Sequence, residues 1–275
     1  MRNKAQRGKT QYAGNVGCRE PKVFSVKLDL LIPGLPAKTD HFLFGICSLL
    51  LLRVAGRTVL FDTGPFRIRP MLIGALKARG LAPKDIDTVF LTHLHWDHVE
   101  NLDLFAHAEI MTPRVEFEYA ASPRPNDWGT PPYVREILQG MRVTLLPDQE
   151  QEIFPGVRTL LLPGHSVGLQ GLVIDTGQER AVLASDALWS ARDAVRAVPD
   201  VAFFDPAKAQ ASLDCALTAG DVFYPGHDRP FRLQGGSVIY LAQYRYHLTF
   251  PFQPHGQDLE LEISTEKAAK AAVLS

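Results

Sequence analysis

Residues 92 to 98 read Thr92-His93-Leu94-His95-Trp96-Asp97-His98, four potential metal ligands within six positions, directly after an apolar run. At an extended strand end, residues two apart face the same side. His93 and His95 can therefore converge on one ion while the following turn carries Asp97 and His98 toward a neighbour. Imidazole and carboxylate are ligands for zinc and related transition metals. One histidine is ordinarily a polar surface or core residue, whereas four donors in this order point to metal chemistry. Further candidates occupy the same kind of place, each just after an apolar strand: His165 behind Leu161-Leu162-Pro163-Gly164, Asp186 behind Leu183-Ala184-Ser185, and His227 behind Tyr224-Pro225-Gly226. Sheet proteins assemble sites at strand ends. His41, His107, His247 and His255 lack that context and receive no role.

The elements that must position these residues follow from periodicity. Alternation over 24–30 predicts a half-buried strand, and the apolar runs at 41–54 and 58–62, joined by Ala55-Gly56-Arg57, predict a central hairpin. Helical spacing predicts helices over 70–79, 114–121 and 207–218 and a last helix around 237–247. Short apolar runs predict strands at 87–92, 108–111 and 222–224. Those at 143–146, 157–162, 171–175 and 181–184 predict a second sheet. The loop 122–132, with four prolines, is expected to form a lid. Two blocks of strands, each trailed by helices, imply an α/β protein with two sheets face to face and helices outside. Residues 1–22 are expected to be a flexible arm, 23–255 a single catalytic domain and 256–275 a tail.

The chain has 275 residues, 46% hydrophobic and 21% charged, with a formal net charge of −1. That balance argues against a nucleic-acid binder, which carries a basic excess. The run 42–54 is too short and interrupted to cross a bilayer. Cys18, Cys47 and Cys215 are scattered and odd in number, so no disulfide framework is expected. No apolar block follows the basic residues of 1–22, so the segment does not read as a secretory signal. A cytoplasmic protein acting on a small molecule is expected, without nucleic-acid or membrane partners. The arm and the proline-rich loop leave a homodimer open.

His93 to His98 resembles in full the His-x-His-x-Asp-His signature of the metallo-β-lactamase superfamily. His165, Asp186 and His227 match its Pro-Gly-His, Ser-Asp and Gly-His elements, and Asp62-Thr63-Gly64 is similar to its Asp-Thr-Gly turn. The resemblance implies an αββα sandwich of two mixed sheets flanked by helices, with a dinuclear metal centre at one edge. On the family pattern His93, His95 and His165 hold one metal, Asp97, His98 and His227 the other, and Asp186 bridges them, with Asp62 orienting a ligand from behind. Two divalent ions are implied. Zinc comes first, though manganese, iron and cobalt also accept these donors. The implied chemistry is attack by a metal-bridging hydroxide, with Asp97 orienting it and passing a proton to the leaving group.

Within the superfamily, zinc β-lactamases lack the aspartate at position 186, and flavin-linked di-iron members usually carry Glu where this chain has His95. The flanks of His165, Asp186 and His227 look most similar to the N-acyl homoserine lactone lactonases. That implies opening of a lactone or cleavage of a related small ester. Hydrolysis of a thioester, phosphoester or organophosphate, or cyclic amide is the alternative. Many lactonases place Tyr three residues after the bridging Asp, and here that residue is Trp189. An indole donates but cannot accept, so substrate preference is expected to differ. Trp189, Phe44 and Trp128 are the candidate substrate-binding residues, with Phe66, Tyr119 and Tyr133 as further aromatics that can line a pocket. Arg67, Arg69, Arg114, Arg124 and Arg229 can each fork onto a carboxylate, but none is assigned.

Overall fold

The computed structural model describes residues 26–250 and 259–264. The first sheet has the order β1-β2-β3-β4-β5-β6: Lys27–Ile32, Leu49–Val54, Arg57–Phe61, Thr88–Phe90, Glu109–Pro113 and Arg142–Leu146. Its first three strands pair antiparallel and its last three run parallel to β3. The second comprises β7 (Glu152–Phe154), β8 (Val157–Leu161), β9 (Gln170–Asp175), β10 (Arg180–Ser185), β11 (Val222–Pro225), β12 (Phe231–Gln234) and β13 (Ser237–Tyr240), ordered in space as in the chain. Both sheets are mixed, since β10 and β11 are parallel within an otherwise antiparallel sheet.

The unbroken run Leu49-Leu50-Leu51-Leu52 reports a strand covered on both faces. Leu50 and Leu52 enter the core between the sheets with Phe61, Phe90, Leu172 and Leu183. Leu49 and Leu51 point the other way, onto Leu72 and Leu76 of α1 (Arg69–Lys77). The outer face of the second sheet packs Val182 and Phe223 against Leu213 and Ala216 of the helix Pro206–Thr218. Helix, sheet, sheet and helix thus form the expected αββα sandwich. Phe61 and Phe90, register partners on the adjacent strands β3 and β4, stack side by side in the middle layer with centroids 5.7 Å apart. Phe61→Ala is therefore expected to destabilise the fold by about 3–5 kcal/mol in urea denaturation, through lost burial and the cavity left behind.

Several expectations are corrected. The strand at 143–146 closes the first sheet instead of opening the second, because it pairs parallel with β5. The helix expected around 237–247 is absent. Residues 237–240 form β13, joined to β12 by the two-residue turn Gly235-Gly236, and 245–250 form β14 (Arg245–Phe250). A glycine pair between apolar runs is a hairpin signal, and it outweighs the weak helical spacing there. Strand β14 pairs antiparallel with β15 (Leu259–Ser264), in a segment that carried no readable pattern. Residues 41–48 hold only the isolated bridge pairs of Leu43 and Ile46, so the hairpin starts at Leu49. The arm, including Cys18, lies outside the described residues.

Candidate metal centre

Every candidate ligand leaves the C-terminal end of a strand or the turn beyond it. Strand β4 ends at Phe90 and delivers Thr92 to His95, after which the four-residue helix α2 (Trp96–Val99) turns Asp97 and His98 inward. Asp186 follows β10 directly, and His227 follows β11 by two residues. His165 stands in the turn between β8 and β9. Asp62 and Ser185 both adopt positive φ, 58° and 48°, conformations that non-glycine residues take mainly under tertiary constraint. At Gly226 a Cβ would lie 2.0 Å from Asp186 Oδ1, so only glycine lets the chain pass the carboxylate.

The seven side chains converge. His93, His95 and His165 form one compact group of donor atoms, Asp97, His98 and His227 another, and Asp186 groups with His93 and His98. Asp186 Oδ1 is 3.4 Å from His98 Nε2, while Oδ2 is 3.3 Å from His165 Nε2 and 3.4 Å from His227 Nε2. His227 Nε2 is also 3.2 Å from Asp97 Oδ2, and His165 Nε2 is 3.0 Å from His95 Nδ1. Ligand atoms about 2.0–2.1 Å from a tetrahedral ion stand roughly 3.3–3.4 Å apart, so these separations fit donors around a cation. The Nε2 atoms of His93 and His98 and Oδ1 of Asp186 are buried with no hydrogen-bond partner, which is costly unless an ion satisfies them.

A supporting layer fixes the rings. Asp62 is fully buried. Its Oδ2 accepts from His98 Nδ1 at 2.8 Å, and its Oδ1 accepts the Thr92 N–H at 2.9 Å. Thr92 Oγ1 contacts His93 Nδ1 at 2.9 Å. Holding Nδ1 from behind turns each Nε2 inward. Electrostatics agree with a cation-seeking site. Burial, then His165, presses His95 down to about 3, and burial with the His98 and His95 imidazoles holds His93 low. Against the opposing effect of burial, His98 and His227 draw Asp97 down to about 2, and Asp186 and Asp97 push His227 up to about 9. Against burial, His227, His98 and His165 likewise hold Asp186 well below the usual carboxylate range, so both carboxylates are anions at neutral pH, facing imidazoles that must lose their protons for a metal to bind.

A cleft of 1110 Å³ opens over the cluster, reaching His95, Asp97, His165, Asp186 and His227. Trp189 lines it and stacks on His227, with centroids 5.2 Å apart, and Trp128 lines it from the other side at 58% exposure. Phe44 does not line it. Its ring neighbour Phe42 does. Phe66 and Tyr133 are exposed elsewhere, and Tyr119 borders a smaller cavity. Arg67 bonds the Gly45 carbonyl, Arg69 holds Asn101 and Asp103, and Arg124 lies over Phe204, so these three serve the scaffold.

Sequence reading missed Phe203, whose ring meets those of His95, His165 and Trp128 at 6.0, 5.3 and 5.0 Å. No local pattern marks it. It also missed Asp127, which accepts from the backbone of Gly129 and Thr130 and from the hydroxyls of Thr130 and Tyr119, at 2.9–3.1 Å. An Asp inside a proline-rich loop is an available signal for such a turn. Asp127 sets Gly129 against His95, where a Cβ would come within 2.8 Å of the ring. Gly129→Ala should therefore displace His95 and lower both bound metal and turnover, the latter roughly tenfold, in a protein of unchanged melting temperature.

A family model of the metallo-β-lactamase superfamily matches residues 43–252. The chain is 34% identical to metallo-beta-lactamase domain-containing protein 1 of Xenopus laevis over 178 residues, 64% of this chain and 68% of that protein. It is 32% identical to an N-acyl homoserine lactonase of Bacillus thuringiensis over 163 residues, 57% of this chain and 62% of the relative, so it spans under two thirds of the lactonase's length. A crystal structure of the Bacillus thuringiensis lactonase with N-decanoyl-L-homoserine bound superposes with a TM-score of 0.55 at 24% identity, covering 69% of this chain and 85% of that one, and shares the fold. Among the described residues no helix is long and apolar enough to cross a membrane. With the signature residues gathered at one edge of two packed mixed sheets and the family model covering most of its length, the chain belongs to the metallo-β-lactamase superfamily.

Proposed function

We propose that the protein is a metal-dependent hydrolase that opens a lactone or cleaves a related small carboxylic ester. His93, His95 and His165 would hold one divalent ion and Asp97, His98 and His227 a second, with the Asp186 carboxylate standing between the two sets. Zinc suits this nitrogen and oxygen donor set. The observation that carries the reading is Asp186, whose two oxygens stand 3.3–3.4 Å from histidines of both groups at the floor of the cleft. The similarity to Bacillus lactonases supports the ester class.

Divalent ions bound there lower the pKa of water toward neutrality and polarise a carbonyl oxygen. The side chains of the chain do the remaining work. Asp62 and Thr92 keep the imidazoles of His98 and His93 oriented. Asp97 is the cluster carboxylate that is not fully buried, and its Oδ1, 3.9 Å from His98 Nε2, is its freer oxygen. Anionic at neutral pH, it is placed to take a proton from water and return it to the leaving alkoxide. Phe42, Trp128 and Phe203 form an apolar wall that accommodates a ring or acyl chain and limits water.

Metal-replete protein assayed against lactones and aryl esters should hydrolyse members of the panel. Silence across the whole panel, or turnover of phosphoesters alone, would overturn the substrate assignment. Trp189→Phe should change the preference among lactones while bound metal stays constant, since the indole packs on His227 without supplying a ligand atom.

A further inference from the structure

Arg229 stands two residues beyond His227 and lines the same cleft. Its side chain is 12% exposed. The guanidinium lies over the ring of Tyr240, 3.4 Å from the centroid, with Tyr244 at 5.2 Å. Stacking engages the face of the guanidinium and holds it still, which leaves the in-plane N–H edges for an acceptor. Its ion-pair partner among the described residues is Asp228, whose Oδ1 is 3.7 Å from Nε, beyond hydrogen-bond range, and Nε is buried without a hydrogen-bond partner. The oxygens of Asp228 are spent elsewhere: Oδ1 accepts the Arg229 backbone N–H at 2.7 Å, and Oδ2 accepts the Ala191 N–H at 3.1 Å and the Tyr240 hydroxyl at 2.9 Å.

A nearly buried cation whose Nε has no hydrogen-bond partner is expensive to keep, and a rigid guanidinium fork matches the two oxygens of a carboxylate, as it does those of a phosphate. Tyr240 is fastened by its hydroxyl to Asp228, so the platform under the guanidinium is fixed before any ligand arrives. We infer that Arg229 is the anion-binding end of the cleft, so that the substrate carries a carboxylate of its own, remote from the bond that is broken. This rests on the hydrolase reading only for which end of the substrate meets the histidine and aspartate cluster.

The test is calorimetric. Aliphatic diacids from succinate to suberate and their monoamides are titrated into the metal-replete protein, each pair differing only in the second carboxylate. At the chain length that spans cluster and guanidinium, the diacid should bind about tenfold or more tightly than its monoamide. In Arg229→Gln that gain should largely vanish, with Arg229→Lys retaining part of it. If no diacid of the series outperforms its monoamide on the wild-type protein, the inference is wrong whatever the variants do. If a folded Arg229→Gln keeps the full gain, the second carboxylate binds elsewhere and Arg229 is not its partner. The hydrolase reading is judged separately on the neutral lactones and aryl esters, so either can fail without the other.

Discussion

Asp186→Ala is expected to lower hydrolysis by at least about 10³-fold while the fold survives. The magnitude follows from what metal ions contribute to such reactions, several kcal/mol of barrier, with each 1.36 kcal/mol equal to a factor of ten. Asp186 touches both histidine groups with its two oxygens, so its removal should weaken both halves of the centre at once, and metal per chain should fall with activity. The structural cost is modest because the cores lie elsewhere: the inter-sheet layer and both sheet–helix layers are built from apolar side chains that Asp186 does not support. Removing its charge also removes what pushes His227 up and what opposes the burial of its neighbours, so some loss of melting temperature is compatible with the reading. Circular dichroism, metal analysis and a turnover assay on the same sample check it. A variant that keeps wild-type kcat with full metal would refute the role.

Asp62 should show the second-largest effect, although its carboxylate belongs to none of the grouped donor sets. Asp62→Ala removes the acceptor that holds His98 Nδ1 and the backbone of Thr92, and leaves both donors buried and unpaired. Supports of this kind typically cost 10- to 100-fold in metal affinity or activity when lost. Burial raises the pKa of Asp62, and the His98 charge with the hydrogen bonds from His98 and Thr92 opposes that rise, so losing these partners would favour the neutral acid. Asp62→Asn, which keeps an acceptor but not the charge, should fall between wild type and Asp62→Ala. Metal dissociation measured with a chelator should accelerate in the order wild type, Asn, Ala. Equal rates for all three would mean that the ring of His98 is oriented by packing alone.

The candidate ligand set was legible because metal binding constrains residue type and spacing together. His93, His95, Asp97 and His98 lie on one short stretch, and each later ligand follows an apolar strand whose end local pattern can locate. Asp62 was legible only through the resemblance of Asp62-Thr63-Gly64 to the superfamily's Asp-Thr-Gly turn. The aromatic wall was not. Phe203 and Phe42 sit on segments without periodicity and reach the cleft only through long-range packing, while Phe44, equally aromatic and two residues from Phe42, does not line it. Asp127 shows the intermediate case, a turn former visible in sequence whose target, the placement of Gly129 on His95, is not.

By itself the sequence determined much of the strand-and-helix alphabet of the two sheets, the seven candidate donors and the near-balance of charge, since these depend on short-range spacing and composition. Tertiary structure decided which sheet the strand at 142–146 joins, that 237–240 is a strand, how Asp186 reaches both histidine groups, and that Arg229 faces the cleft on a tyrosine platform while Arg67, Arg69 and Arg124 bind the scaffold. The physical reason is the range of the forces involved. Periodicity and ligand spacing are properties of neighbours along the chain, whereas strand pairing, ring packing and the partners left to a buried charge depend on residues tens to hundreds of positions away.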